Sequence, residues 1–300
     1  MIGFLVLVAS PALGGLDGEW RHLDLDDGLA HTSVYDLALD SRGFLLIASE
    51  GGLQRWDGYE LTPLHRDPDG TRRLLSDNVG HLYRDPAEPR RIWIGTWGGG
   101  LSRLDIVTGE LRSWVHDPGD ETSLSDDRIQ GILRDSGGRL WVATYRGLNR
   151  MTDDGAGFRR YSVADGLPHD RIWTLDEDRR GRLWLGTGDG LARLAPDIGE
   201  IREWDSGVLG HPEVRHLQVL STGEVWIGTR GGLHRHLPGT ESFPRIPFPS
   251  ERPGERRQSV NFIREDAEGR VWIGTHRNGL LLWRPESRDF RAFRHRADDA

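Results

Sequence analysis

Five short apolar runs recur along the chain with one pattern: aliphatic, Trp, aliphatic, a small residue, then Thr. They are Ile92-Trp93-Ile94-Gly95-Thr96, Leu140-Trp141-Val142-Ala143-Thr144, Leu183-Trp184-Leu185-Gly186-Thr187, Val225-Trp226-Ile227-Gly228-Thr229 and Val271-Trp272-Ile273-Gly274-Thr275. A degenerate first copy, Leu45-Leu46-Ile47-Ala48-Ser49, has Leu46 in the Trp place. These runs do not alternate apolar with polar, so they predict strands covered on both faces. Runs that do alternate flank them, broken by Gly, Asp and Pro, and no long pattern of period near 3.6 occurs. The chain therefore reads as all-β.

The anchors at 46, 93, 141, 184, 226 and 272 are separated by 47, 48, 43, 42 and 46 residues. A period in the forties with several short strands per unit predicts a β-propeller of four-stranded antiparallel blades. In the fourth copy, Arg171 to Glu177 reads as the inner strand and Arg182 to Thr187 as the second. Leu191 to Leu194 reads as the third strand and Ile201 to Trp204 as the outer one. Gly181 supplies the positive φ of the first hairpin. The repeats span about 33–75, 76–124, 125–168, 169–212, 213–258 and 259–300, within a propeller region 19–300. The recurring Trp is expected to pack between blades, and the small residue two places on to permit close approach of the next blade. Trp56 and Trp283 fall on third strands; Trp20, Trp114 and Trp204 fall on outer strands, so most of the Trp is assigned to core.

The strand count bears on closure. Glu19 to Leu25 reads as an outer strand ahead of the first inner one, and Asp289 to Arg294 as another at the end. Six inner triplets thus go with seven outer strands. Either the strand of Trp20 completes the last blade, or the six repeats are part of a seven-bladed or longer array; the longer array is preferred. Before the repeats, the apolar run Ile2 to Ala9 and the small-residue stretch from Ser10 to Gly15 resemble a secretory signal, so residues 1–15 are read as an export segment. Export, to the periplasm, is the expected localisation. No segment reaches membrane-spanning length.

Composition narrows the functional classes. The chain has 40 Gly and 12 Trp at an apolar share of only 36%, as expected of many tight turns around a few large buried rings. With 47 acidic and 39 basic residues interspersed, no basic face is expected, which argues against nucleic acid as a partner. The absence of Cys excludes disulfides and thiolate metal sites.

One copy carries Asp165-Gly166-Leu167-Pro168, then Asp178, then Gly181-Arg182-Leu183-Trp184-Leu185-Gly186-Thr187 and Asp189-Gly190-Leu191. This string resembles the two-component regulator propeller repeat, as does the connection from His116 to Ser125. The resemblance covers roughly residues 19 to 295. It implies an exported sensor region, followed in such proteins by a membrane helix and a histidine kinase or diguanylate cyclase output module. Kinase phosphoacceptor, ATP-binding and cyclase signatures are not found in this sequence, so the resemblance supports the sensing part and not the output.

No nucleophile elbow, HExxH, P-loop or dinucleotide fingerprint occurs in a supporting context. His234-Arg235-His236 places two imidazoles at i and i+2. With no third ligand indicated, it is read as a solvent-facing third strand rather than a metal site. Asp67-Pro68-Asp69-Gly70 and Asp117-Pro118-Gly119-Asp120 resemble pieces of calcium loops but read as turns. No cofactor or metal is expected.

Comparing the repeats with one another gives a better site argument. After the constant Thr or Ser come Glu50, Trp97, Tyr145, Gly188, Arg230 and His276, then Gly51, Gly98, Arg146, Asp189, Gly231 and Arg277. After the first core aliphatic of the inner strand come Tyr35, Gly80, Gln130, Trp173, Arg215 and Asn261. Neighbouring positions hardly change, so packing does not dictate these. Tyr35, Glu50, Trp97, Tyr145, Arg146, Trp173, Asp189, Arg215, Arg230, His276 and Arg277 are the candidate ligand-binding residues, with the composition of a small-molecule or glycan mouth. The leading reading is a non-catalytic sensor propeller that passes its state to an output domain or partner protein. A carbohydrate-active enzyme and an interaction scaffold are the alternatives; an enzyme would need convergent carboxylates, and among the variable positions only Glu50 and Asp189 are acidic.

Overall fold

The computed structural model describes residues 4–7, 20–64, 73–249 and 259–293. They form two compact units, Met1–Ile132 and Leu133–Ala300. Among the described residues there are six four-stranded antiparallel sheets, one per repeat, each with its strands in chain order. The fold is an all-β propeller, and each sheet is a blade. No described helix is long and apolar enough to cross a membrane.

The fourth blade shows the construction. Its strands are Ile172–Glu177, Leu183–Thr187, Leu191–Ala195 and Glu200–Trp204. Gly181 takes φ 73° in the first hairpin, a conformation that glycine adopts without strain. The second strand is buried at every position, as are its counterparts Leu140–Thr144 and Val225–Thr229. The cause is visible in the packing. Trp141, from the third blade, lies among Ile172, Leu183, Leu185 and Leu194 of the fourth. Trp184 lies among Val214, Leu217, Val225 and Ile227 of the fifth, and Trp226 among Val260, Ile263, Val271 and Ile273 of the sixth. In the first unit, Leu46 takes the same role against Val79, Ile92, Ile94 and Leu104. In these blades the second strand is therefore an interior layer, and the residue in the recurring Trp place fills the gap to the next blade.

In the third, fourth and sixth blades the turn Asp holds that Trp in place. In the fifth, where Leu220 stands at the Asp position, Trp226 Nε1 donates to Glu224 at 3.0 Å. Asp178 accepts from Trp184 Nε1 at 3.1 Å, from Arg182 Nε at 2.8 Å and from the Arg180 amide at 2.9 Å. Asp135 does the same for Trp141 at 2.8 Å and Arg139 at 2.7 Å, and Asp266 for Trp272 at 2.8 Å and Arg270 at 2.7 Å. The string from Asp through Gly-Arg-Leu to Trp thus encodes a clasp in which one carboxylate satisfies a buried indole and a guanidinium. In the second blade the hairpin is longer, with Asp85 eight places before Trp93, and Trp93 Nε1 has no partner among the described residues.

One alternative for closure is removed and one reading is overturned. The strand of Trp20, Trp20–Leu23, pairs with Phe4–Leu7, and the last blade draws its fourth strand from Asp289–Phe293. Of the segment 1–15 only Phe4–Leu7 is described, and Glu19, Arg294 and the turn at Asp67 to Gly70 lie outside the described residues. His234 and His236 do not face solvent: both are buried. His234 Nδ1 lies 3.1 Å from the Phe243 carbonyl, and the His236 ring packs against Trp184 and Phe243. Burial holds both imidazoles below their usual pKa. The cause is the chain after this strand, which lays Phe243 over it where a solvated edge was expected. Asp117 and Asp120 accept from the amides of Gly119 and Thr122 at 2.8 Å, which is turn chemistry as read.

Candidate functional site

The variable positions sit on a rigid frame built by the constant ones. The Thr ending each second strand donates its hydroxyl to a carbonyl across the next turn: Thr96 to Gly100, Thr144 to Gly147, Thr187 to Gly190, Thr229 to Gly232 and Thr275 to Gly279. The residue after that Thr then donates its amide to the residue just before the next-door first strand. Glu50 bonds Ser33, Trp97 bonds Asn78, Gly188 bonds Arg171 and His276 bonds Ser259. That pre-strand residue is itself pinned, since its amide donates to a side chain two places back. The acceptor is His31 for Ser33, Ser76 for Asn78, Asp126 for Arg128, His169 for Arg171 and His211 for Glu213.

The first strand contributes a third variable position through a bulge. Its pairing register slips between Val34 and Asp36, Val79 and His81, Ile172 and Thr174, Val214 and His216, and Val260 and Phe262. The residues left without a cross-strand partner are Tyr35, Gly80, Trp173, Arg215 and Asn261. A bulge frees a side chain from the alternation of the strand and re-aims it. These bulged positions are among those that vary between repeats.

In the second unit these positions converge. Tyr145 and Trp173 meet edge to face with centroids 5.7 Å apart. The Arg171 guanidinium lies 3.9 Å from the Tyr145 centroid and 5.3 Å from that of Trp173. Arg215 lies 4.4 Å from the Trp173 centroid. Glu213 ties the group to Arg230, 2.8 Å from its Nε, and stands 3.7 Å from Arg215. Desolvation is the largest influence on Arg215 and lowers its pKa, opposed by Glu213. Trp173 Nε1, Arg171 Nε and Glu213 Oε2 are buried atoms without a hydrogen-bond partner among the described residues, although Glu213 Oε2 is within ion-pair distance of Arg230 and Arg215.

Three segments of the chain, 123–146, 166–189 and 254–277, match the two-component regulator propeller. Over those segments the chain is similar to that repeat. Similar solved structures include the extracellular domain of a protein described as a hybrid two component system from B. thetaiotaomicron. It is 24% identical with a TM-score of 0.80, covering 92% of this chain and 36% of that one. The extracellular domain of one described as a one component system from the same organism is 22% identical with a TM-score of 0.71, covering 87% and 35%. The chain thus spans about a third of the length of these two. Virginiamycin B lyase from Staphylococcus aureus is 16% identical with a TM-score of 0.64, covering 88% and 84%. At these identities the likeness is one of fold. No curated protein matches the chain.

Among the candidate residues, Tyr145, Trp173, Arg215 and Arg230 come together. Arg146 and Asp189 are exposed on the adjoining turns, their amides held by Thr144 and Thr187. His276 and Arg277 are exposed on the turn of the last blade, and neither side chain makes a hydrogen bond or ion pair among the described residues. In the first unit, Glu50 lies 3.6 Å from His31, and desolvation and then Glu50 raise the pKa of the Tyr35 hydroxyl. Trp97 lies over Gly80, where an added Cβ would stand 2.9 Å from its ring. The repeat comparison missed Arg171 and Glu213. The signal was available: the position before the first aliphatic reads Ser33, Asn78, Arg128, Arg171, Glu213 and Ser259, as variable as the positions chosen.

Proposed function

We propose that this chain is the ligand-sensing propeller of an exported, periplasmic signalling receptor of the two-component type, and that it is not itself catalytic. The observation that carries the reading is the convergence of Tyr145, Arg171, Trp173 and Arg215, all at positions that differ from repeat to repeat, into one cluster. Arg146, Asp189, Arg230, His276 and Arg277 extend that face within the second unit, while Tyr35, Glu50 and Trp97 occupy the equivalent places in the first. The likeness to regulator propeller repeats and the fold shared with extracellular domains of signalling proteins support the sensing role. The downstream partner is an output domain or a partner protein that reads the bound state.

The chemistry of the cluster supports binding rather than turnover. Its one carboxylate, Glu213, is engaged by Arg230 and Arg215, which favours a fixed counterion over a general acid or base. A thermal-shift and Trp-fluorescence screen of the purified chain against mono- and oligosaccharides and other small metabolites tests the proposal. The expected outcome is a saturable rise in Tm, lost in Trp173→Ala. New reducing ends or unsaturated products would overturn the non-catalytic reading. Absence of any small-molecule response, together with stable capture of a protein partner, would replace sensing by scaffolding.

A further inference from the structure

The aromatic rings of the cluster are not open platforms. A neutral sugar stacks on an uncovered aromatic face, but here guanidinium groups already stand over the rings. Arg171 lies over Tyr145 at 3.9 Å and Arg215 over Trp173 at 4.4 Å, with Arg171 also 5.3 Å from Trp173. The rings therefore act as holders that orient the cations. Of the three guanidinium groups Arg171, Arg215 and Arg230, the last two share one acid, Glu213, which is 2.8 Å from Arg230 and 3.7 Å from Arg215. No carboxylate pairs with Arg171 among the described residues, and its Nε and the adjacent Trp173 Nε1 both lack an acceptor. Three guanidinium groups against the one carboxylate of Glu213 leave the cluster with an excess of positive charge, which favours a ligand that supplies oxygen lone pairs and negative charge.

We infer that the site formed by Arg171, Trp173 and Arg215, with Glu213 and Arg230 at its margin, recognises an oxyanion group, a carboxylate or a sulfate, on its ligand. The inference rests on the ligand-sensing reading above and adds the chemical class. A planar or tetrahedral oxyanion matches the forked donors of arginine, and the indole N–H offers a further donor beside them. Glu213 leaves the cluster cationic while holding Arg230 and Arg215 on one side. The frame beneath is stiff, because the Arg171 amide is bonded to His169 at 2.8 Å and its carbonyl to the Gly188 amide at 2.9 Å. Donors already held in place lose little freedom on binding.

The test is a titration of the 15N-labelled full chain with sodium sulfate, D-glucuronate and D-glucose at ionic strength matched with sodium chloride. It follows the Nε resonances of Arg171 and Arg215 and the indole resonance of Trp173. Saturable shifts with glucuronate or sulfate, and none with glucose, are expected; which of the two saturates assigns carboxylate or sulfate. The apparent affinity should fall about tenfold or more in Arg171→Gln and Arg215→Gln, the size of a lost charge-assisted hydrogen bond. If Arg171→Gln does not fold, Arg171→Lys keeps the charge without the fork and should still weaken binding. Shifts that follow ionic strength alone, or no shift with either anion, would overturn the inference. Binding of glucose that is unaffected by Arg171→Gln would overturn it too, yet leave the ligand-sensing reading intact. That reading falls separately, on the screen with Trp173→Ala.

Discussion

Val214 presses directly on Gly186: a Cβ added at the glycine would lie 2.6 Å from Val214 Cγ1 and 2.6 Å from Thr174 Cγ2. Gly228 stands in the same relation to Val260, and Gly95 to Ile129, each at 2.6 Å. The first aliphatic of one blade thus seats on the small residue of the blade before it. Gly186→Ala should therefore cost about 1–3 kcal/mol, the usual cost of overpacking. Adding Val214→Ala should recover part of that loss, so denaturant unfolding of the two single variants and the double variant should show a favourable coupling. Additive effects would mean the two positions do not share the space.

The Asp178 clasp makes a second prediction. Desolvation raises its pKa, but the bonds from Arg182, Arg180 and Trp184 outweigh this and the net shift is downward. Its contribution is therefore present above the unfolded-state pKa and lost as pH falls through the lower folded value. Asp178→Ala should lose about 1–3 kcal/mol at neutral pH by stranding a buried indole N–H. The loss should shrink on acidification, as urea melts at pH 7 and pH 3 will show.

Two groups should tilt the stability profile in opposite directions. Desolvation lowers His81 to about 4, so stability from its neutral ring is present above the unfolded value near 6.5 and lost as pH falls through the folded one. Desolvation raises Asp176 to about 6 despite bonds from the Val219 and Glu177 amides. Its contribution is present below the unfolded value of 3.8 and lost as pH rises through the folded one. His81→Gln should flatten the acid-side decline. Asp176→Asn, which keeps an acceptor for Val219, should gain stability relative to the native chain above pH 6. Thermal melts from pH 3.5 to 8 will show whether the two variant profiles diverge from the native one in these opposite senses.

The recurring Trp residues should not be equivalent. Trp184 is buried, stacks on Trp204 at 5.3 Å and packs against the fifth blade. Trp272 is only half-buried and stacks on Phe293 at 5.7 Å. Trp184→Ala should cost about 3–5 kcal/mol, and Trp272→Ala clearly less. Denaturation midpoints of the two variants, measured side by side, decide this; equal losses would mean that the repeat position, not its burial, sets the energy.

Much of this architecture is local and therefore legible along the chain. The Trp run, the turn Gly and the Asp before it each act within one hairpin, so the strand positions read in the fourth repeat agree with the observed ones to within a residue. The role of the Trp between blades followed from a strand that is apolar on both faces, a pattern explicable only by cover on two sides. What was not legible depends on contacts between segments far apart in sequence. His234 and His236 look like an exposed pair in sequence and are buried because Phe243 folds over them.

The sequence by itself determined the repeat, its four strands per unit and the short set of positions that packing does not constrain. The tertiary structure shows which of those positions meet. The bulge at Trp173 and Arg215, and the bond from Gly188 to Arg171, bring side chains of three blades into one cluster. Register slips and inter-blade distances arise from strand pairing and blade packing in three dimensions, so no run of residues announces them. The arginines covering Tyr145 and Trp173 likewise belong to different strands, and the change from an open aromatic platform to an array of oriented cations becomes visible only once those strands are paired.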